Sequence, residues 1–360
     1  MFTLRAMDES THQDDLSTIY YDQTREAQSV THQAEIQVDA PIGESQVLTV
    51  GLLSSVDTLE QKNNGTIEVD KAKSQRHEFY VQDDIFITDN LELLPGFRVQ
   101  NDADFGVKFT PKLNALYTPA HFNEKNLKIR AGVGSGYRVP NLKERFYEFD
   151  HSAIGYKVLG NKELTPESSV SYQLGAEWNL HQNVNAHINL FRNDIKDLIA
   201  TDLNKEKSRS DLKIYEYTNY QKVKTQGVES ALNFTLSQVL SGEFAYNYLE
   251  ARDLLTDTVI PDRPKHTYIA SLNYLIPLLK TEVSLSGKYQ SSEFKDSDNT
   301  ITSPAHTSAD LKLNTEINNQ FKIFFGINNL TDNVRNTPSN GLDNRPTKGR
   351  YFYAGLQIKG

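Results

Sequence analysis

The chain has 360 residues, no cysteine, 38 Lys and Arg against 47 Asp and Glu, and a formal net charge of −9. The missing cysteines exclude disulfides and thiolate metal sites, and the acidic balance argues against a nucleic-acid binder, which needs a basic stripe for phosphates. No run approaches the roughly 18 apolar residues of a membrane helix, and a mean hydropathy of −0.56 with 38% hydrophobic residues fits a soluble protein or a membrane β-barrel, in which only alternate residues meet lipid.

The N-terminal run Met1–Asp15 contains no apolar stretch of the roughly 7–15 residues a signal peptide needs. The expectation is therefore a start further upstream or a fragment. From about Arg25 onward apolar and polar residues alternate in segments that recur roughly every 20 residues, which predicts strands. Ser171–Leu180 sets Tyr172, Leu174, Ala176, Trp178 and Leu180 against Gln173, Gly175, Glu177 and Asn179. Val184–Leu190, Val228–Leu236 and Thr281–Tyr289 repeat the pattern, and the final segment sets Phe352, Ala354, Leu356 and Ile358 against Tyr351, Tyr353, Gln357 and Lys359. About sixteen such segments are predicted, most long enough for the roughly 9–11 tilted residues of a bilayer crossing. The 18 Tyr and 17 Phe suit strands and interfacial girdles.

Connections are predicted to alternate in length. Pro41–Glu44, Asp89-Asn90 and His181–Asn183 read as tight turns. Asn141–Asn161, Thr201–Lys213, Arg252–Pro264, Ser292–Pro304 and Asp332–Lys348 read as long polar loops. Short turns on one side and long loops on the other are the arrangement of outer-membrane barrels. No fixed-period repeat points to a propeller.

Gly136-Tyr137-Arg138-Val139-Pro140, the return Gly160-Asn161-Lys162-Glu163-Leu164-Thr165-Pro166-Glu167 and the strand Ser171–Leu180 together resemble the middle of a TonB-dependent outer-membrane receptor barrel. Weaker echoes follow the family's order: Glu78–Asp84 with Gly96-Phe97-Arg98, Phe191–Ile199, Tyr220–Ser230, Ile260–Pro264, Gly326–Asp332 and Gly349-Arg350-Tyr351. The resemblance implies an all-β fold, a transmembrane antiparallel barrel with short periplasmic turns and long extracellular loops. It implies a Gram-negative outer-membrane location among lipid and lipopolysaccharide, and TonB-dependent uptake of an iron complex, haem or a ferric siderophore, as cargo rather than cofactor. The family barrel has roughly 22 strands, so residues 1–360 are expected to form one N-terminally truncated barrel domain without plug or TonB coupling box. In that case TonB can act only if the missing part is supplied. Gly360 stands where the family usually closes on an aromatic. An open sheet would leave unpaired edges in lipid, which is untenable, so the chain is expected to aggregate, close into a smaller barrel or pair with a missing part. The alternatives are a passive porin-like channel of about sixteen strands and a soluble β-rich binding protein.

Candidate ligand-binding residues cluster in the loop after Arg138. Arg138 faces either an anionic ligand or rim carboxylates, with Pro140 ending the strand because it lacks an N–H. Haem-transporting relatives carry a ligand His between the Arg-x-Pro turn and the return, and His151 occupies that interval. They also carry Phe-Arg-Ala-Pro and Asn-Pro-Asn-Leu, from which this chain departs. Phe146, Tyr147 and Phe149 are placed either to stack on a planar ligand or to pack the loop, and Lys205, Lys207 and Arg209 either to attract an anionic chelate or to meet lipid phosphates. The N-x-T patterns at Asn64 and Asn329 are chance-level glycosylation matches. Catalysis is not expected: there is no G-x-S-x-G, Walker loop or H-E-x-x-H. Asp83 and Asp84, adjacent on a strand, point to opposite faces, and Asp14-Asp15 has no readable context.

Overall fold

The computed structural model describes residues 2–13, 23–120, 126–152, 155–334 and 348–358. Asp14-Asp15, most of the loop predicted over Asp332–Lys348, and Lys359 with Gly360 lie outside the described residues.

Strand is the dominant conformation. In chain order the strands are β1 Phe2–Gln13, β2 Gln23–Ile42, β3 Gln46–Asn63, β4 Thr66–Thr88, β5 Leu91–Asp102, β6 Gly106–Tyr117 and β7 Lys128–Arg138. A five-residue helix α1, Leu142–Phe146, and two short strands, β8 Glu148–His151 and β9 Tyr156–Leu159, follow. Then come β10 Glu167–His181, β11 Val184–Leu203, β12 Lys213–Ser237, β13 Leu240–Asp253, β14 His266–Ile276 and β15 Thr281–Gln290. A two-residue pair, β16 Glu293–Phe294 and β17 Thr302–Ser303, precedes β18 His306–Glu316, β19 Phe321–Asn328 and β20 Tyr351–Ile358. Among the described residues sixteen strands are eight residues or longer: β1–β7, β10–β15 and β18–β20.

That number agrees with the sequence, but the starting point does not. The first strand is not near Arg25: β1 lies ahead of it and pairs antiparallel with β2 from Phe2↔Ala34 to Gln13↔Gln23. The alternation of β1 fades after Phe2, Leu4 and Ala6, so its pairing with β2 reveals it where its own pattern does not.

The chain divides into two compact units. One comprises Met1–Ala115, Gly132–Ser171 and Asn193–Val223; the other comprises Leu116–Ala131, Tyr172–Arg192 and Lys224–Gly360. In the first, β1 to β5 form an antiparallel meander. Ile36, Leu52, Phe79 and Val99 are cross-strand partners on one face, and Gln37, Gly51, Tyr80 and Arg98 on the other. In the second, β13, β14, β15, β18, β19 and β20 pair in succession, also antiparallel. One row there reads Gly242, Leu272, Leu285, Leu311, Ile327 and Phe352, and the neighbouring row on the opposite face reads Glu243, Ser271, Ser286 and Asp310.

The apolar rows are open to the surroundings. Ile36 is 68% exposed, Leu52 57%, Leu285 44% and Phe352 62%. Rows of exposed Leu, Ile and Phe carried from strand to strand exceed the apolar patches that soluble monomers show, and the soluble reading fails on them. A face that is apolar on every second residue, backed by a polar face, is what a strand needs when one side meets hydrocarbon and the other water. No helix among the described residues is long and apolar enough to cross a membrane.

Turns alternate in length largely as expected. Gly43–Ser45, Asp89-Asn90, Gln182-Asn183 and Gln238-Val239 are tight connections. The connections after β7, β11, β13, β15 and β19 are longer. Three connections break the rule: on the long-loop side Asn64-Gly65 joins β3 to β4 and Ala103–Phe105 joins β5 to β6, and on the short-turn side the link from β6 to β7 runs from Thr118 to Leu127. At Asn64-Gly65 the strands themselves project, β4 running 23 residues, and both turn residues have positive φ (46° and 80°). An Asn-Gly pair at positive φ is the preferred two-residue hairpin turn; the same two letters carried the glycosylation pattern.

Candidate functional site

The loop that follows β7 is folded, although its sequence reads as polar coil. Asn141 caps α1: its side chain accepts from the Glu144 N–H at 2.9 Å, and the Glu144 carboxylate accepts from the Asn141 N–H at 2.7 Å. This reciprocal capping box satisfies donors that a one-turn helix would otherwise leave open. Arg138 then links the loop base. Its Nε and Nη2 donate to Glu167 at 2.8 and 2.6 Å, and Nη1 donates to both Glu144 oxygens at 3.0 and 2.8 Å. Glu167 also accepts from the Ile199 N–H at 2.7 Å. One guanidinium therefore ties the end of β7 to α1, β10 and β11, using the planar fork that distinguishes Arg from Lys. Both carboxylates are largely buried, whereas Arg138 remains 43% exposed.

The return motif has an equally local purpose. A Cβ on Gly160 would lie 2.6 Å from the Tyr147 nitrogen, so only glycine lets the return segment pass so close to the C-terminal end of α1. Asn161 donates its N–H to the Glu144 carbonyl and its amide to the Tyr217 carbonyl, and it accepts from the Glu163 N–H. Asn219 and Thr165 exchange two further bonds. Pro140 and Leu164 are almost wholly buried. The family-like residues thus lock the loop onto the ends of β10, β11 and β12.

Beyond them, β8 and β9 form a hairpin whose second strand pairs parallel with Lys213–Glu216 of β12. His151 sits at its tip, only 8% exposed. Its Nε2 lies 3.1 Å from Arg25 Nη2 and its Nδ1 3.2 Å from the Tyr156 hydroxyl. Because a guanidinium only donates, Nε2 accepts from Arg25 and the hydrogen resides on Nδ1, facing Tyr156. Arg25 in turn donates to both oxygens of Glu68, at 2.9 and 3.0 Å, and Gln61 donates to Glu68 at 2.6 Å. Burial, reinforced by the Arg25 charge, holds His151 below the ordinary imidazole value, against the weaker opposing pull of Glu68 and Asp150. For Asp150 burial acts upward, but hydrogen bonds from Lys157 and Ser152 prevail and bring it down to about 2.

The aromatic residues of the loop pack inward. Phe149 lies 4.0 Å from the His151 ring, 5.5 Å from Tyr147 and beneath the Arg25 guanidinium at 4.4 Å. Phe146 and Tyr147 pack on Leu59, Val69, Ala72 and Leu142, a small apolar cluster. The Tyr147 hydroxyl accepts from Gln61 at 3.4 Å, and burial raises its pKa. Of the predicted cationic trio, Lys207 pairs with Glu216 at 2.9 Å and Arg209 with Asp211 at 3.5 Å.

His151 and Tyr147 therefore meet in one cluster and Arg138 sits at its base, while Lys205, Lys207 and Arg209 belong to another loop. The sequence did not point to Arg25, Gln61 and Glu68, which complete the cluster from strands up to 126 positions away. Nothing in their local pattern distinguishes them from other rim residues. Beneath the Arg138–Pro140 turn lies a cavity of about 420 Å³ that includes Thr31, Asp57, Arg76, Lys143 and Tyr217 in its lining. A polar groove of about 630 Å³ runs past Glu35, Tyr80, Arg98, Lys112 and Tyr137. Among the described residues no three His, Asp or Glu side chains gather as a metal-binding set. What the arrangement offers is a rigid loop base and a polar wall of hydrogen-bonding and charged groups.

Comparison with known proteins places this geometry. The chain matches the family described as TonB dependent receptor-like, beta-barrel, over residues 5–330. It is 27% identical to the ferric enterobactin receptor PirA of Pseudomonas aeruginosa, over 64% of this chain and 34% of that protein. It is 23% identical to the iron-regulated outer membrane virulence protein of Vibrio cholerae, over 89% of this chain and 50% of that one. Its fold superimposes on a mutant of the ferric enterobactin receptor PfeA of Pseudomonas aeruginosa with a TM-score of 0.75 at 19% identity, covering 99% of this chain and 58% of that structure. The chain spans about half the length of the curated relatives it matches, or less. With the family model covering all but the ends of the sequence, the chain belongs to the TonB-dependent receptor family, in the part that builds its β-barrel.

Proposed function

We propose that the chain supplies the wall and extracellular loops of an outer-membrane receptor that takes up a ferric siderophore with energy delivered through TonB. The observation that carries this reading is the family match along residues 5–330. The siderophore class rests on the ferric enterobactin receptor and the iron-regulated outer membrane protein among the relatives. Residues 1–360 are assigned to one barrel domain, and TonB acts through a plug that this reading does not place within them. Tyr246, Tyr268 and Tyr289, on the apolar face of β13–β15 and in ring contact at 4.8 and 5.9 Å, suit the lipid–water boundary and contact with lipopolysaccharide.

Haem is the less favoured cargo. Ligation needs a free imidazole nitrogen, and both His151 nitrogens face partners within the chain. We assign His151, Tyr147 and Arg138 to shaping the loop that other groups use for capture. The test is equilibrium binding to the purified chain in lipid nanodiscs, with ferric enterobactin, a ferric hydroxamate chelate and haem as probes. Saturable binding of an iron chelate that is competed by the iron-loaded but not the iron-free form is expected. Binding of haem alone, or of none of the three, overturns the reading. The sixteen barrel-length strands favour a second reading, a self-contained pore. Steady single-channel conductance from the chain alone in planar bilayers supports it, and a silent bilayer with correctly folded protein removes it.

A further inference from the structure

Besides the parallel pairing of β9 with β12, two different surfaces hold this loop against the neighbouring strands. The apolar one lies just ahead of the hairpin, where Leu142 and Phe146 of α1 and the adjoining Tyr147 meet Leu59, Val69 and Ala72. The other is a buried polar chain, His151–Arg25–Glu68–Gln61, in which the Glu68 side chain is 4% and the Arg25 side chain 20% exposed. Its two cationic members differ in kind. Arg25 is charged at every attainable pH, whereas His151 is the one side chain type whose charge changes near neutrality. An imidazole 3.1 Å from a guanidinium is a good acceptor when neutral. Once protonated it has no lone pair to offer, and it sets two like charges together where water cannot screen them.

We propose that the Arg25–His151 contact is a pH-sensitive latch: neutral His151 holds the β8–β9 hairpin onto β2 and β4, and protonated His151 releases it. Among the described residues, Arg25 from β2, Glu68 from β4, Asp150 from β8 and Tyr156 from β9 are charged or titratable groups that face the ring. Glu68 is already shared between Arg25 and Gln61, and Asp150 is engaged by Lys157, so neither is free to become a dedicated partner for an imidazolium. Tyr156 accepts from Nδ1 in both protonation states. The direction of the linkage follows. In the released loop His151 titrates near its ordinary value of 6.5, and in the latched loop it titrates lower, owing to burial and then Arg25. Both states are neutral above the released value, and the latch is at full strength there. As pH falls below about 6.5 the released loop takes up a proton first, so latching weakens until the latched imidazole is protonated as well.

The experiment exploits the absence of cysteine. Thr66→Cys at the β3–β4 turn and Ser152→Cys at the hairpin tip, both exposed positions, are spin-labelled in the full chain in nanodiscs. Their separation is measured by pulsed electron resonance at about pH 7.5 and about pH 5. A single narrow population at the higher pH is expected, with a longer, broader population that grows several-fold at the lower pH. His151→Gln, whose amide can accept from Arg25 and donate to Tyr156, is expected to remain narrow at both. An unchanged distribution in the His151-containing chain overturns the latch whatever the variant does, as does an equal pH response in His151→Gln. No ligand enters the measurement, so failure here leaves the receptor reading untouched.

Discussion

Arg138, conspicuous in sequence, joins three elements at the base of its loop. Its guanidinium pairs with both Glu144 and Glu167, which are mostly withdrawn from water. Removing the guanidinium strips four charge-assisted bonds from the two carboxylates and leaves each with a backbone N–H, from Asn141 and Ile199. Arg138→Ala is therefore expected to loosen the loop base by about 2 kcal/mol, the size of a hydrogen bond to a charged group. Arg138→Lys should recover little of it, because an ammonium cannot serve two carboxylates in fork geometry. Limited proteolysis of the segment 139–166 in membranes measures both, and equal resistance of Arg138→Ala and the parent chain would refute the structural role. Legibility at this scale was uneven. Arg138, Pro140, Gly160 and Asn161 stood out because the loop needs those residue types locally. Arg25 and Glu68 did not, because their significance is contact with a distant hairpin.

Among the elements, the tall β3–β4 hairpin depends on its turn. Asn64 and Gly65 both adopt left-handed φ, a region that a β-branched residue enters at a cost of about 1–2 kcal/mol. Gly65→Val is expected to fray the hairpin by roughly that amount, seen as faster hydrogen exchange over residues 58–72, while Asn64→Asp stays near the parent. The Asn-Gly pair is itself a turn signal legible in the sequence. The loop after β7 is the opposite case. It lacks periodicity because α1, β8 and β9 are each only four or five residues long, too short for alternation or helical spacing to register, and their order comes from capping and from pairing with β12.

For the whole molecule the decisive property is which face meets lipid. Leu285 lies in a row of apolar partners and Ser286 in a polar row one residue away. A charge on the lipid face costs about 2–4 kcal/mol near the bilayer midplane, whereas substitutions on the water side are tolerated. Leu285→Lys is thus expected to lower the yield of heat-modifiable, membrane-inserted protein several-fold, and Ser286→Lys to leave it unchanged; the reverse order would invert the assignment of faces. Alternation with a period of two is enough to settle such a property in advance, because each residue reports its own side of the sheet. The strand class and the approximate number of strands followed from sequence for that reason, while the tight turns followed from turn residues and the family resemblance from the motifs around Arg138 and Asn161. The first strand, the burial of His151 and its engagement with Arg25 and Tyr156 awaited the tertiary structure. They depend on which distant segments pair, and no local pattern encodes a contact between residues 126 positions apart.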